Sequence, residues 1–96
     1  MNEFLLAGRL VKTPELRASK DGEKKYTFIT LAINGKDKSD FFDITVFGKT
    51  AEIIVQYCEK GCPLTVKGFL RQGTKENGYK ITLIADKVFF GNKKEN

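Results

Sequence analysis

Hydrophobic and polar positions divide the 96-residue chain into five predicted strands and one predicted helix. Within each strand, apolar residues either alternate with polar ones or form a short run bounded by glycine, proline or polar turn residues. The first strand is apolar around Gly8, where we expect a bend, and Pro14 closes it because proline lacks the amide donor that strand pairing needs. The predicted strands span residues 3–12, 24–34, 40–47, 63–71 and 79–90.

Two short segments contain the residues typical of turns. Asp21 and Gly22 lie between the first two strands, where glycine tolerates a positive φ and aspartate can accept a hydrogen bond from its own downstream backbone. Asn77 and Gly78 form the commonest dipeptide of tight hairpins and lie in the polar connector before the last strand. We therefore expect the chain to reverse at both places.

A single helix is predicted over residues 50–60, between the third and fourth strands. Thr50 can cap its start, and Lys60 suits the negative end of the helix dipole. Gly61 can adopt the left-handed conformation that follows many helices, and Pro63 prevents further helix. One helix face is apolar through a repeat at i, i+3, i+4 and i+7, formed by Ala51, Ile54, Val55 and Cys58.

The order of these elements favours one all-β domain. No internal repeat and no Pro/Gly/Ser-rich linker divides the chain, and its length suits a single compact unit. Three strands, one short α-helix and two more strands match the five-stranded barrel of the oligonucleotide-binding (OB) fold. We expect this OB-fold barrel over residues 1–90, followed by a short, frayed polar tail over residues 91–96. A core of this size would gain stability from self-association.

The third strand has two distinct faces. Phe42, Ile44 and Val46 share one face, while Phe41 and Phe47 fall on the other. Because an exposed phenylalanine places apolar surface in water, two of them on one strand face indicate a platform on which a flat group stacks, and nucleic-acid bases are such groups. The alternative is that both rings pack under the helix or against another subunit.

Basic residues accompany these aromatic residues. The chain has 17 Lys and Arg against 12 Asp and Glu, so its net charge of +5 favours a polyanionic partner. Any one lysine is best explained as an ordinary solvated charge, and only the grouping carries weight. The grouped cations are Lys36 and Lys38 in the loop after the second strand, Lys49 after Phe47, Lys67 and Arg71 beside Phe69, and Lys75 and Lys80 on either side of the Asn77-Gly78 turn.

Metal binding and catalysis find no support in the residue types. Cys58 and Cys62 are too few for a zinc site in a chain with no histidine, and we expect both thiols to stay reduced and to fill apolar space at the helix end. Serine or cysteine nucleophiles have no apparent base, and no Gly-rich phosphate loop is present. Asp40 and Asp43 point to opposite faces of their strand, so they cannot easily converge on a metal. We expect no enzyme, no cofactor and no metal.

The expected compartment is the cytoplasm, in association with the nucleoid. The apolar run at the N-terminus is far shorter than a signal peptide requires, and no segment approaches the ~20 apolar residues of a membrane span.

Five segments resemble bacterial single-stranded-DNA-binding proteins, in the order and spacing of that family, from about residue 2 to residue 90. They are LLAGRLVKTPELR (5–17), FITLAIN (28–34), DFFDITVFGKTAEI (40–53), YCEKG (57–61) and VKGFLR (66–71). The resemblance implies an OB fold that binds single-stranded DNA with little sequence preference during replication, recombination or repair. It also implies a homo-oligomer, either a dimer or a tetramer.

The resemblance also implies roles for individual residues. The base-stacking aromatics of the family fall on Phe41 and Phe47, and its basic positions fall on Arg9, Lys49 and Arg71. Relatives often carry a further aromatic in the loop after the second strand and a tryptophan in the last hairpin, where this chain has Lys75 and no ring. The complete set of expected DNA-binding residues is Arg9, Lys36, Lys38, Phe41, Phe47, Lys49, Lys67, Phe69, Arg71, Lys75, Tyr79 and Lys80.

The C-terminus departs from the replication members of the family, which usually continue into a flexible linker and an acidic tip. This sequence stops at Asn-Lys-Lys-Glu-Asn, as expected of either a tail-less relative or a shortened chain. Two other functions stay open: a primosomal adaptor of the same fold that bridges a helicase and DNA, and a protein-recognition module whose outer aromatics meet a protein partner.

Overall fold

The computed structural model describes residues 1–91, which form a barrel of strands with one helix across one end. The helix and strand limits agree with the predicted pattern to within a few residues. The elements are β1 (Phe4–Leu10), β2 (Arg17–Ala18), β3 (Lys25–Asn34), β4 (Ser39–Phe47), α1 (Gly48–Tyr57), β5 (Pro63–Gln72) and β6 (Ile81–Phe90), with a 3-10 turn at Lys75–Asn77 between the last two strands.

Five long strands close the barrel in the order β1-β5-β6-β4-β3, and β1 completes the circle by pairing with β3. All neighbours are antiparallel except β4 and β6, which are parallel. Pairing of β1 with β3 begins just after Gly8, since Gly8 pairs with Leu64 of β5 whereas Arg9 pairs with both Pro63 of β5 and Ala32 of β3. A Cβ atom at Gly8 would fall on the carbonyl oxygen of Ala32, so this crossing requires glycine. The bend expected at Gly8 thus falls just before the residue at which β1 pairs with both strands.

The core fills the barrel with the inward side chains of alternating strand positions. Thr27, whose hydroxyl donates to the carbonyl of Glu15 at 2.8 Å, is the polar residue buried among them. Burying a hydroxyl costs free energy unless it is hydrogen-bonded, and this bond offsets that cost. The buried apolar residues are Leu10, Ile29, Leu31, Ile44, Val46, Ala51, Ile54, Cys58, Leu64, Val66 and Ala85. Cys62 packs against this core, so the two cysteines fill apolar space at the helix end as predicted.

The helix is displaced toward the N-terminus relative to the prediction of residues 50–60. It begins at Gly48, because a positive φ of 68° at this glycine lets the chain turn directly from β4 into the helix. Thr50 is therefore inside the first turn, and the capping position belongs to Phe47 without a side-chain hydrogen bond. The predicted apolar face is confirmed by the burial of Ala51 and Ile54.

The helix also ends three residues early, at Tyr57. The segment after it is drawn toward the end of β1, since the amide of Lys60 donates to Thr13 Oγ1 at 3.0 Å and the amide of Gly61 donates to the carbonyl of Leu10 at 2.9 Å. These tertiary hydrogen bonds replace the last helical turn. Lys60 and Gly61 thus lie beyond the helix, and their predicted roles at its C-terminus were wrong. The positive φ expected of Gly61 is confirmed, at 91°.

Two connections also differ from the expected ones. The short strand β2 was not predicted; it pairs with β3 at Tyr26 and Lys25 and continues the edge that β1 leaves. The connector between β5 and β6 is an eight-residue loop, 73–80, rather than a tight hairpin at Asn77-Gly78. Because Gly78 and Tyr79 both have positive φ, of 74° and 58°, the last strand starts at Ile81 instead of residue 79.

The predicted turn at Asp21 is confirmed. Its Oδ1 accepts hydrogen bonds from the Ser19 hydroxyl at 2.6 Å and from the Glu23 amide at 2.9 Å. These two bonds, the first being the stronger cause, lower the pKa of the Asp21 carboxyl. The predicted polar tail lies outside the described residues except for Gly91, whose amide donates to the carbonyl of Pro63 at 3.1 Å.

Candidate nucleic-acid interface

The outer face of β3 and β4 carries the aromatic residues singled out on β4. Residues that pair directly across an antiparallel sheet share one face. Four such pairs cover this face from one end to the other: Ala32 with Phe41, Thr30 with Asp43, Phe28 with Thr45, and Tyr26 with Phe47. We call this surface the β3–β4 face.

Both predicted rings lie open to solvent on the β3–β4 face. Phe41 is 62% exposed and Phe47 is 49% exposed, whereas Ile44 and Val46 between them are buried in the core. The alternation along β4 therefore holds, and neither ring packs under the helix. Lys49 is exposed in the first turn of α1, two residues after Phe47, so a cation follows the second ring directly.

Two further rings on β3 extend this aromatic surface, and the sequence analysis missed both. Tyr26 lies between Phe28 and Phe47, with ring centroids 5.5 Å from the first and 6.3 Å from the second. Phe28 is 51% exposed. The strand alternation could have revealed them, because Tyr26 and Phe28 fall opposite the buried residues Thr27 and Ile29.

A cation that was also missed lies against this surface. The short strand β2 places Arg17 beside Tyr26, and its guanidinium carbon lies 5.7 Å from the centre of the Phe28 ring. This distance is within the range of a cation–π contact. Arg17 and Phe28 line a shallow cleft of about 200 Å³ together with Lys12. Sequence periodicity gave no indication of Arg17, because a two-residue strand has no readable alternation.

The aromatic surface continues around the barrel to β5. Phe28 pairs with Thr45 on β4, Thr45 pairs with Ile84 on β6, and Ile84 pairs with Phe69 on β5. The guanidinium of Arg71 lies 5.8 Å from the centre of the Phe69 ring. Phe69 and Arg71 are thereby joined to the β3–β4 face through one lateral row of outward side chains.

Arg9 belongs to the same surface at its other end. It pairs with Ala32, which in turn pairs with Phe41, so the three residues form a row across β1, β3 and β4. Its Nη1 donates a hydrogen bond to the carbonyl of Gly61 at 3.0 Å. The remaining guanidinium donors can still meet a phosphate, since Arg has five.

Five other predicted residues lie in two loops, 35–38 and 73–80. Lys36 and Lys38 are exposed in the β3–β4 loop, whose turn is closed by a hydrogen bond of 2.7 Å from the Gly35 amide to the carbonyl of Lys38. The β5–β6 loop exposes the others, which are Lys75, Tyr79 and Lys80. Both loops join strands whose outer residues form the aromatic surface.

Lys67 lies apart from the β3–β4 face. It occupies the outer side of β5, directly opposite Leu5 on β1 and Lys87 on β6. Its Nζ lies 3.8 Å from Glu3 Oε2. Strand alternation correctly predicted that this side chain points outward. It cannot predict which part of the barrel's outer surface that strand position occupies.

The cations near the aromatic rings are not neutralised by carboxylates. Across residues 1–91, the pair of Lys67 and Glu3 is the one salt bridge within 4.0 Å. Among the described residues, the cations beside the rings therefore form no ion pair within 4.0 Å.

The described residues also contain no group of three or more Cys, Asp or Glu side chains arranged to hold a metal ion. Over the same residues, no helix has the length and apolar character needed to cross a membrane.

Curated relatives of the chain are single-stranded DNA-binding proteins. One from Clostridium perfringens is 44% identical over 79 residues, which cover 79% of this chain and 53% of the relative. One from Fusobacterium nucleatum is 38% identical and is covered over 69% of its length. Single-stranded DNA-binding protein 2 of Staphylococcus aureus is 36% identical, covering 100% of this chain and 77% of the relative. The chain thus spans about half of the first relative and about seven-tenths or more of the other two.

Two solved structures share the fold. The single-stranded DNA-binding protein from Thermus aquaticus, determined as a deletion mutant, superimposes with a TM-score of 0.83 over 100% of this chain and 43% of that chain, at 22% identity. The corresponding domain of a Synechococcus protein superimposes with a TM-score of 0.74 over 92% of this chain and 93% of that chain, at 19% identity. These likenesses confirm the OB-fold barrel.

Membership of a family is decided by sequence over the whole barrel. A sequence model described as "Single-strand binding protein family" matches residues 1–90, which include every strand and the helix. The resemblance of the five segments is therefore confirmed, and this chain belongs to the single-strand binding protein family.

Proposed function

We propose that the chain binds single-stranded DNA with little sequence preference and coats exposed strands during replication, recombination or repair. The observation that carries this proposal is the row of rings on the β3–β4 face with cations beside it. Phe41, Phe28 and Phe47 are exposed, and the half-buried Tyr26 lies between Phe28 and Phe47. Bases stack on such rings at ~1–3 kcal/mol each whatever their identity. This stacking energy stabilises the complex with any sequence whose bases are unpaired.

The cations supply the second part of the binding energy. Arg17, Lys49 and Arg71 lie next to rings of the surface, and the loop lysines extend the positive charge beyond it. Each phosphate that they neutralise releases condensed counterions, so the affinity falls as salt rises. A duplex also presents phosphates, but its bases are already stacked on each other. Preference for single strands therefore rests on the rings and not on the charge.

Self-association is proposed through the free edge of β1. The first half of this strand pairs with β5 on one side, whereas β3 pairs with it at Arg9 and Leu10 alone. The other edge of residues 4–8 is thus left with unpaired backbone groups, and Leu5 within it is 67% exposed. An open, apolar edge favours pairing with the same strand of a second copy. The assembly so formed is a dimer or a pair of dimers.

The role is one of binding and not of catalysis. The family is named for binding single strands, and the chain contains no histidine. We propose that the protein acts in the cytoplasm, on the DNA of the nucleoid. A role as a primosomal adaptor would add a helicase to the DNA partner, and a protein-recognition module would use the same rings for a polypeptide.

A gel shift with single-stranded and duplex DNA of equal length tests this proposal. We expect the single strand to be retarded at much lower protein concentration than the duplex, and unlabelled poly-dT to compete fully. Equal retardation of both would reduce the interaction to charge alone. Failure of poly-dT to compete would favour the protein-recognition function.

A further inference from the structure

One carboxylate lies in the middle of the β3–β4 face. Asp43 pairs directly with Thr30, with the pair of Phe28 and Thr45 on one side and the pair of Ala32 and Phe41 on the other. It is exposed. A negative charge on a surface that attracts phosphates weakens binding by simple repulsion. Asp43 would favour binding only if its carboxylate accepted hydrogen bonds from the bound ligand.

The Asp43 carboxylate is held in place and keeps most of its acceptor capacity. The hydroxyl of Thr30 donates to Asp43 Oδ1 at 2.7 Å. An ionised carboxylate offers about four acceptor positions, so this bond leaves capacity for further donors. A carboxylate that is oriented in advance loses less side-chain entropy when a ligand binds.

Thr30 and Asp43 line a cleft of about 330 Å³ between β3, β4 and the start of β6. Phe28 and Ile81 contribute apolar side chains to its lining, and both are more than half exposed, at 51% and 66%. Thr30 and Asp43 contribute the polar groups, and Lys12 lies at the same cleft. A flat apolar wall beside a few fixed acceptors is the composition expected of a subsite for a single base.

We propose that this cleft receives one unpaired base and prefers guanine, through hydrogen bonds from its N1–H and N2–H groups to Asp43. Guanine presents two adjacent donors on its Watson–Crick edge, which match the two oxygens of a carboxylate. Cytosine and adenine each present one amino group next to an acceptor nitrogen. Thymine presents a single N3–H between two carbonyl oxygens, which the carboxylate repels.

The neighbouring groups complete the subsite. The base stacks on Phe28 while its edge reaches Asp43, since both residues line the same cleft. Lys12 can meet the phosphate of the same nucleotide. This inference rests on the proposed binding of single-stranded DNA and adds a modest base preference to it. A bidentate contact to a base discriminates by about 5- to 150-fold, and an open cleft in contact with water lies at the low end of that range.

The test compares three labelled oligonucleotides in which dT alternates with dG, with deoxyinosine or with dC. Deoxyinosine keeps N1–H but lacks the N2 amino group. Fluorescence anisotropy should give an affinity about fivefold higher for the dG-dT strand than for the other two. Asp43→Asn keeps an acceptor for Thr30 but loses the second carboxylate oxygen, so it should abolish the preference. Asp40→Asn removes the same charge from the opposite face of β4 and should retain it.

Oligo-dT separates failure of this inference from failure of the proposed function. If no oligonucleotide binds, including oligo-dT, both are wrong. If oligo-dT binds and the wild-type protein shows equal affinity for the three mixed strands, the guanine preference alone is overturned. The guanine preference is also overturned if Asp43→Asn raises the affinity for all three mixed strands by one common factor, since the carboxylate would then act only as a repelling charge.

Discussion

The rings of Tyr26 and Phe47 lie 6.3 Å apart on neighbouring strands that pair these two residues directly. Tyr26 in turn contacts Phe28 at 5.5 Å, edge to face. Three rings from two strands therefore form one continuous apolar surface, and Phe41 lies further along the same face. A strand of nucleotides laid along this surface would find successive stacking partners without any base-specific contact at the rings.

Replacing Leu5 with glutamate should reduce self-association. Glutamate at this position lies directly opposite Lys67, so the monomer gains a favourable cross-strand pair while its free edge becomes charged. Analytical ultracentrifugation should show Leu5→Glu at a lower mass than the wild-type protein. Leu16→Glu, at an exposed leucine outside the β1 edge, is the matched control. Unchanged mass for Leu5→Glu would exclude the β1 edge as the interface.

Replacing Lys49 with glutamine should lower the salt dependence of binding. Lys49 follows Phe47 and Gly48 at the end of the β3–β4 face and has no carboxylate within 4.0 Å among residues 1–91. Loss of one phosphate contact to a single strand lowers the slope of log affinity against log salt by about 0.7. Titrations at several salt concentrations measure this slope. The control Lys60→Gln, beyond the other end of the helix, should leave the slope unchanged. An unaltered slope in Lys49→Gln would exclude a phosphate contact of Lys49.

Replacing Asp21 with asparagine should destabilise the protein more at neutral pH than in acid. The Ser19 and Glu23 hydrogen bonds lower the folded-state pKa of Asp21, so its stabilising contribution is complete above the unfolded value of about 3.9. That contribution is lost as pH falls through the folded pKa. Urea unfolding should therefore show a gap between wild type and Asp21→Asn at pH about 7 that is smaller at pH about 3. A gap of equal size at both values would show that the charge is not involved.

Much of the candidate interface could be predicted from strand alternation, because a half-buried strand must place its polar and apolar sides on opposite faces. The outward positions of Phe41, Phe47 and Phe69 follow from that rule alone. The same rule applied to β3 gives Tyr26 and Phe28, but the alternation is harder to recognise there because both faces of β3 carry apolar residues.

Other features depend on contacts between distant segments and could not be predicted from local pattern. Lys67 alternates like Phe69, yet it faces a different part of the outer surface because β5 pairs with β1 at that point. The early end of the helix depends on hydrogen bonds from Lys60 and Gly61 to the end of β1. The position of Arg17 over Phe28 depends on a two-residue strand that exists only by pairing with β3.

The central claim, that open rings on the β3–β4 face stack on bases, is tested most directly by the binding free energy of labelled oligo-dT to three variants. Phe28→Ala and Phe47→Ala should each lose ~1–3 kcal/mol of binding with little change in melting temperature. Tyr57→Ala removes an exposed ring from the end of the helix and should bind as the wild type does. Wild-type affinity in both phenylalanine variants, or an equal loss in Tyr57→Ala, would contradict the account.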